Sequence, residues 1–409
     1  MLTEQIQQFN EILEELGKTL DISESQYNAA VKSYNAVGNW LKKEDSFLSP
    51  YLPEILPQGS FMLGTMVKPL NENDDLDIDL VCQLKGKNPN WTQEILKQSV
   101  GDQIKANDTY KKMLDEEGRR CWTLLYRQDS YSEKERYHMD ILPCVVDSGY
   151  RMILDSAFSA KELIDANKLA IRITDNLEDN YETEKNHLDW LKSNPFGYAK
   201  WFENRANISS TRMFSLNESI KPVPKYQTDK LPLQRVVQIL KCHRDMMFNG
   251  DKEKPISIII TTLAAYAYRK QANVYDALVD IIDRMHLFIE ERRDPFTGEQ
   301  YRFIGNPVNS EENFADKWRE TPRKEEKFNS WLKKIKEDIN LISNQRGRQI
   351  MDSMSKSFGE SRIIKTFSNI GDRTKLLTEQ GNTRFDTKLG IMAGATNSIK
   401  PHNFYGTED

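Results

Sequence analysis

The sequence predicts two packed lobes, an α/β lobe and then a helical lobe, with long helices ahead of both. Three observations carry that prediction. At 409 residues the chain exceeds what one ordinary hydrophobic core organises. In the first half, short apolar runs rich in β-formers alternate with helical patterns. Beyond about residue 226 the apolar residues recur only at helical spacing.

Residues 1–20 and 24–48 read as helices. In the second, Tyr27, Val31, Tyr34 and Leu41 share one face, and Asp21 or Ser23 can cap the start. Pro53 and Pro57 end that pattern just before Gln58. Residues 78–84 form a continuous apolar run, 120–127, 136–142 and 168–173 are further strands, and Trp91 to Lys105 is a helix between them. After Pro222 and Pro224, Leu233, Val236, Val237 and Leu240 stripe one helix. A polar loop from Asn249 to Lys254 leads through Pro255 into a more buried helix over 256–271. Amphipathic helices are expected at 274–291, 311–320 and 324–345. From about Gly371 the chain turns polar and turn-rich (Asn382, Thr383, Gly394, Pro401), as in a loosely packed tail. The expected division is N-terminal helices packing on the lobes (1–48), an α/β core (49–225), a helical C-terminal lobe (226–350) and a C-terminal segment (351–409).

Composition narrows the class. With 38% hydrophobic and 29% charged residues the chain is an ordinary globular one, and no apolar stretch approaches the length that spans a bilayer. The N-terminus, Met1 to Gln5, has no basic region followed by an apolar one, so no signal peptide is read and a cytoplasmic location is expected. Cys82, Cys121, Cys144 and Cys242 are scattered without a C-x-x-C pair. With only five histidines no zinc-ligand spacing arises, so reduced, mostly buried thiols are expected. A net charge of -5 does not favour long nucleic acid as a template.

The chemistry concentrates in three short stretches: Gln58-Gly59-Ser60, Leu76 to Leu80, and His138 to Pro143. Asp77 and Asp79 are two apart in an apolar run, so on a strand both carboxylates point to one face while Ile78 faces the core. Two like charges held that close are costly unless a divalent cation neutralises them. Asp140, also flanked by apolar residues, completes the set from a neighbouring strand. Oxygen-only ligands favour Mg²⁺ or Mn²⁺, and two such ions suit nucleotidyl transfer. A bare D-x-D is more often a solvated acidic surface, and Asp74 and Asp75 extend the acidic run. Ile78, Leu80 and Val81 decide against that, because carboxylates embedded in a buried run are expensive. Gly59 permits close backbone approach to an anion, and the Ser60 hydroxyl can donate to a phosphate oxygen. Alone, a Gly-Ser pair is only a turn. Its position shortly before Asp77 gives it meaning.

These motifs (Pro57-Gln58-Gly59-Ser60-Phe61, then Asp77-Ile78-Asp79-Leu80, then Met139-Asp140-Ile141-Leu142-Pro143) resemble the CD-NTase family, bacterial cGAS-like nucleotidyltransferases of CBASS antiphage systems. The stretches 193–202, Leu240-Lys241 and 257–265 agree, so the resemblance spans about residues 50–270. It implies a polymerase-beta-like nucleotidyltransferase core with a mixed sheet. It also implies that Asp77, Asp79 and Asp140 hold two Mg²⁺ ions, Asp140 nearest the attacking hydroxyl. The donor triphosphate would be lined by Gln58, Gly59 and Ser60 and held by Lys241 and Ser257. Read from the residues alone, Lys241 is an ordinary solvated helix lysine and Ser257 an N-cap. Within 193–202, Pro195, Trp201 and Phe202 read as packing at the lobe junction.

The function the resemblance implies is template-independent condensation of NTPs, ATP or GTP above all, into a cyclic di- or oligonucleotide second messenger. Pyrophosphate leaves, and an effector senses the product in antiviral defence. The acidic charge and the absence of a His/Cys zinc insertion speak against activation by double-stranded DNA. Two alternatives stay open: a non-cyclising enzyme adding NMP to RNA, protein or a small molecule, and a nucleotide-sensing scaffold with a degenerate site. The segment beyond Gly371 suits a docking site for a regulatory partner protein as well as a passive tail.

Overall fold

A computed structural model describes residues 3–69, 76–126, 136–146, 169–208, 226–379, 383–386, 390–393 and 397–398. Helix α1 (Thr3–Leu20) buries Phe9, Ile12, Leu13, Leu16 and Leu20, a stripe at three- and four-residue spacing. Helix α2 (Glu24–Leu41) opens on a capping box. Ser23 Oγ accepts from the Gln26 N–H at 3.1 Å, and the Gln26 carboxamide oxygen accepts from the Ser23 N–H at 2.9 Å. Asp21, the other candidate cap, instead accepts from Lys230, Arg235 and Gln238. The helix stops at Leu41, short of residue 48, because Lys42, Lys43, Glu44 and Asp45 leave no apolar face to bury.

Next come β1 (Glu54–Pro57), α3 (Gly59–Leu63), β2 (Leu76–Leu84), α4 (Gln93–Lys105), α5 (Asp108–Met113), β3 (Trp122–Tyr126) and β4 (Tyr137–Val146). They are followed by β5 (Ile171–Ile173), β6 (Lys192–Ser193) and α6 (Pro195–Ala206). All six strands form one mixed sheet. β2 runs parallel to β4 and antiparallel to β1, and the far edge of β4 carries β3 along its first half and β5 along its end. Strand alternation then sorts the side chains. Ile78, Leu80, Met139 and Ile141 enter a core under α2 and α4 with Tyr34, Val37, Leu96 and Val100. On the opposite face Val81, Leu142 and Cys144 pack beneath Phe196 of α6. Asp77, Asp79 and Asp140 continue that second face beyond its apolar part.

The second half is built from α7 (Pro232–Phe248), α8 (Ser257–Ala267), α9 (Val274–Arg284), α10 (Asp316–Glu320), α11 (Arg323–Ser343), α12 (Arg348–Phe358) and α13 (Glu360–Glu379). One core joins them to α1. Three expectations fail here. The helix expected over 274–291 ends at Arg284, and a hairpin of β7 (Glu290–Arg293) and β8 (Gln300–Phe303) follows. Its turn is set by Asp294, whose carboxylate accepts from the N–H groups of Phe296 and Thr297, and by Gly298 at φ +72°. Residues 311–320 are not one helix: β9 (Gly305–Asn306) pairs with β10 (Asn309–Asn313) before α10. Asn313 breaks the helical path by accepting from the N–H groups of Ile304 and Ala315.

The loose tail also fails as described. Helix α13 runs through Gly371 because Ile363, Phe367 and Ile370 pack on the core shared with α1. Strands β11 (Thr383–Asp386), β12 (Gly390–Ala393) and β13 (Asn397–Ser398) form a small antiparallel sheet after it. Asp74, Asp75, Pro222, Pro224, Asn382, Gly394 and Pro401 lie outside the described residues. All four cysteines are free thiols, three of them buried. Among the described residues no helix is long and apolar enough to cross a membrane.

Candidate active site

Register brings the carboxylates together. In the parallel pair of β2 and β4, Asp79 stands opposite Asp140 and Asp77 opposite His138. Partners in register share a face, and so do residues two apart on one strand, so all three aspartates project from the same side. Asp77 is largely exposed at the open end, with its Oδ1 3.9 Å from His138 Nδ1. Asp79 and Asp140 are half-buried. On the other flank of β4, Thr123 of β3 is in register with Asp140 and its hydroxyl donates to Asp140 Oδ1 at 2.6 Å.

The Gly59 turn closes over Asp79. The Gln58 N–H donates to the Asp79 carbonyl at 2.9 Å, which hooks the turn onto β2. Gly59 adopts φ +57°, and a Cβ placed on it would lie 2.3 Å from Asp79 Oδ2, so only glycine lets the backbone come this close. The Gln58 carboxamide faces the strand, with Nε2 3.5 Å from the Leu80 carbonyl. The Ser60 carbonyl accepts the Thr65 N–H at 3.0 Å, and its hydroxyl has no partner among the described residues.

Lys241 of α7 reaches the end of the same turn. Its Nζ donates to the Thr65 carbonyl at 3.2 Å and to the Thr65 hydroxyl at 3.3 Å, and the side chain is buried. Burial and the neighbouring Arg244 charge pull its pKa down to about 7, while Asp79 pushes the other way. Ser257 is the first residue of α8, with Ile256 as N-cap, so the expected capping role falls away. Its Oγ accepts instead from Arg244 Nη1 at 2.9 Å, and Arg244 also donates to the Pro255 carbonyl and to Asp245. The structure thus brings Gly59 against Asp79 and Asp79 opposite Asp140, with Lys241 near enough for its charge to act on Asp79; Ser257 is held by Arg244, one helical turn after Lys241. Sequence reasoning passed over Thr123, Thr65 and Arg244. Arg244 follows Lys241 by one helical turn, the one signal that could have raised it.

The electrostatics suit a cation. Burial first, then the charges of Asp140 and Asp77, push the Asp79 carboxyl up to about 6, and Lys241 only partly opposes this. A site that resists ionisation of its carboxylates, with oxygen donors from three aspartates, fits a hard divalent ion such as Mg²⁺. Among the described residues no three carboxylate, imidazole or thiol groups are gathered closely enough to clasp an ion by themselves. The three aspartates share one face of the sheet, so further ligands to such an ion would have to come from a bound substrate or water.

Comparison with known proteins bears on the family and the fold. Residues 6–156 match the family model of the Second Messenger Oligonucleotide or Dinucleotide Synthetase domain. The chain is 28% identical over 406 residues to the c-di-GMP synthase of Roseivirga ehrenbergii, covering 98% of this chain and 97% of that protein. The structure of the Bradyrhizobium diazoefficiens CD-NTase CdnG in complex with GTP has a similar fold, with a TM-score of 0.65 at 16% identity over 88% of this chain and 99% of that one. CdnC of E. coli MS115-1, in its complex with HORMA-deltaN, gives 0.54 at 14% identity over 84% and 94%. The two solved structures therefore share this chain's fold of a mixed sheet followed by a helical lobe.

Proposed function

From the premise that this chain is a CD-NTase family member, we propose that it is a template-independent nucleotidyltransferase that condenses NTPs into a cyclic di- or oligonucleotide second messenger. One observation carries the reading: Asp79 and Asp140 face each other in register beneath the Gly59 turn, with the buried Lys241 held nearby at Thr65. The similarity to a c-di-GMP synthase and to a GTP-bound CD-NTase supports GTP as a substrate, with ATP as the other candidate. The product would signal to an effector in antiphage defence, in the cytoplasm where NTPs are made. A regulatory protein partner belongs to this reading as well, and the complex of CdnC with HORMA-deltaN supports it.

The residues divide the work. The Gly59 turn and the Ser60 hydroxyl receive the donor triphosphate, and Lys241 supplies positive charge beneath it. Asp77, Asp79 and Asp140 would hold Mg²⁺, which when bound supplies charge stabilisation to the entering and leaving oxygens. Asp140 faces the incoming ribose hydroxyl, with Oδ2 free to accept its proton. The hydroxyl oxygen forms a bond to the α-phosphorus as the bond to the bridging oxygen breaks in line, and pyrophosphate departs with that electron pair. A second transfer within the linear intermediate, in which its free ribose hydroxyl attacks the α-phosphorus of its remaining triphosphate and a second pyrophosphate leaves, closes the ring.

Purified protein with the four NTPs and Mg²⁺, and no acceptor, should yield a phosphatase-resistant product identifiable by mass spectrometry. Asp77→Ala combined with Asp79→Ala should abolish it while leaving the fold intact. Consumption of NTP only when RNA, protein or a small acceptor is added would replace cyclisation with simple nucleotidyl transfer. Retained synthesis in the double variant would remove the aspartates from the reaction.

A further inference from the structure

We infer that Thr123 is the positioning residue of Asp140: its hydroxyl fixes Oδ1, so that Oδ2 alone is presented to the reacting end of the site. The inference rests on the reading of Asp140 as a working carboxylate. Thr123 and Asp140 are direct partners in the antiparallel pair of β3 and β4, and the 2.6 Å separation is that of a hydroxyl donating to a carboxylate. Among the described residues this is the only hydrogen bond that the Asp140 side chain makes. Among the described residues no arginine or lysine clamps it, and the like charge of Asp79 stands opposite on β2.

Threonine suits this position. Its branched Cβ restricts χ1 on a strand, so the hydroxyl is already aimed when Asp140 rotates toward it. One oxygen taken by a neutral donor leaves the carboxylate negative and turns its remaining lone pairs in one direction. A purely structural role fits less well. Trp122 and Leu124, the neighbours on either side, are 2% and 0% exposed and carry the packing of β3, whereas Thr123 alternates out to the aspartate face. Its carbonyl binds the Asp115 N–H at 3.0 Å, a bond any residue would keep.

The test compares Thr123→Val, Thr123→Ser and Asp140→Asn in the full chain. It uses steady-state NTP condensation, thermal unfolding, and Mn²⁺ binding followed by electron paramagnetic resonance without nucleotide. Thr123→Val should lower kcat by roughly 10- to 100-fold and weaken Mn²⁺ binding by about tenfold, the range for losing a group that orients a metal ligand. KM for NTP should stay within about twofold, and Thr123→Ser should recover most of both losses by restoring the donor. Wild-type kcat and Mn²⁺ affinity in Thr123→Val would overturn the inference. So would equal damage in Thr123→Ser, or a fall in unfolding temperature that tracks the loss of rate. If Asp140→Asn itself binds Mn²⁺ and turns over like wild type, the premise about Asp140 fails, and Thr123 has nothing to position.

Discussion

Replacing Asp79 with asparagine should make the metal-free protein more stable while destroying its chemistry. The carboxyl is pushed up to about 6 from its ordinary 3.8, by burial first and then by Asp140 and Asp77. A folded-state pKa above the unfolded one means that the folded form favours the proton. The associated stability is full below about pH 4 and is lost as pH rises through 6. At 1.36 kcal/mol per pKa unit, the ionised carboxylate costs the folded protein about 3 kcal/mol at pH 8, an upper figure. Lys241 trims it, since without the Asp79 charge the buried ammonium loses a favourable neighbour. Asp79→Asn should therefore gain about 1–3 kcal/mol at pH 8 in EDTA, and about a third of that at pH 4.5. Denaturant unfolding of wild type and variant at both pH values reads the difference directly. Saturating Mg²⁺ should close the gap at pH 8, because the ion stabilises wild type and has lost a ligand in the variant. A variant no more stable than wild type at pH 8 in EDTA would refute the idea that the site holds its carboxylates under electrostatic strain.

Other perturbations probe separate parts. Gly59→Ala should cut turnover more than about 100-fold with the fold retained, since its methyl would press on Asp79 Oδ2 and the φ of +57° disfavours alanine. Lys241→Met should raise KM for NTP about tenfold yet leave or increase thermal stability, because a buried ammonium is replaced by an apolar chain; a lowered unfolding temperature with unchanged KM would argue for a structural lysine. Asp338 accepts from His243, Lys334 and Ser357, which together hold its carboxyl down at about 2 against the opposing effect of burial. Its contribution should be full above about pH 4 and fade between 4 and 2, and Asp338→Ala should cost about 3–5 kcal/mol in chemical unfolding at pH 7 with little change in KM.

The aspartates were legible because the sequence makes them expensive. Asp77 and Asp79 open a strand whose later members, Val81 to Leu84, are buried on both faces, so a carboxylate as deep as Asp79 is costly there in a way it would not be on a one-sided surface strand. Asp140 shows the same contrast. Thr123 gave no such signal: its role exists only through the pairing of β3 with β4, a register that neither strand states locally. Residues 311–320 were misread for a related reason. Phe314 and Trp318 sit four apart as on a helix, while the side-chain bonds of Asn313 that break the helix depend on the chain folding back at β9. The hairpin after α9 was foreshadowed by Asp294, Pro295 and Gly298, turn residues that a helical reading of 274–291 stopped just short of. Asp21 looked like a helix cap, and only the arrival of Arg235 and Lys230 from the second half shows what it is for.

That last contact bears on how the chain is made. Arg235 grips Asp21 and the carbonyl of Gly17 across 218 positions of sequence, and the apolar stripe of α1 packs almost wholly on helices from the second half. Translation at about 5–20 residues per second leaves α1 without its partners for on the order of tens of seconds after it emerges. Through that interval Phe9, Leu13 and Leu16 remain a sticky amphipathic face, while α2, the other side of the Asp21 joint, can settle early on the growing sheet. Helix α1, made before every helix it packs on, is thus among the last to find its place. A slowed ribosome should lengthen that exposure, and protease cleavage within α1 on stalled chains would read it.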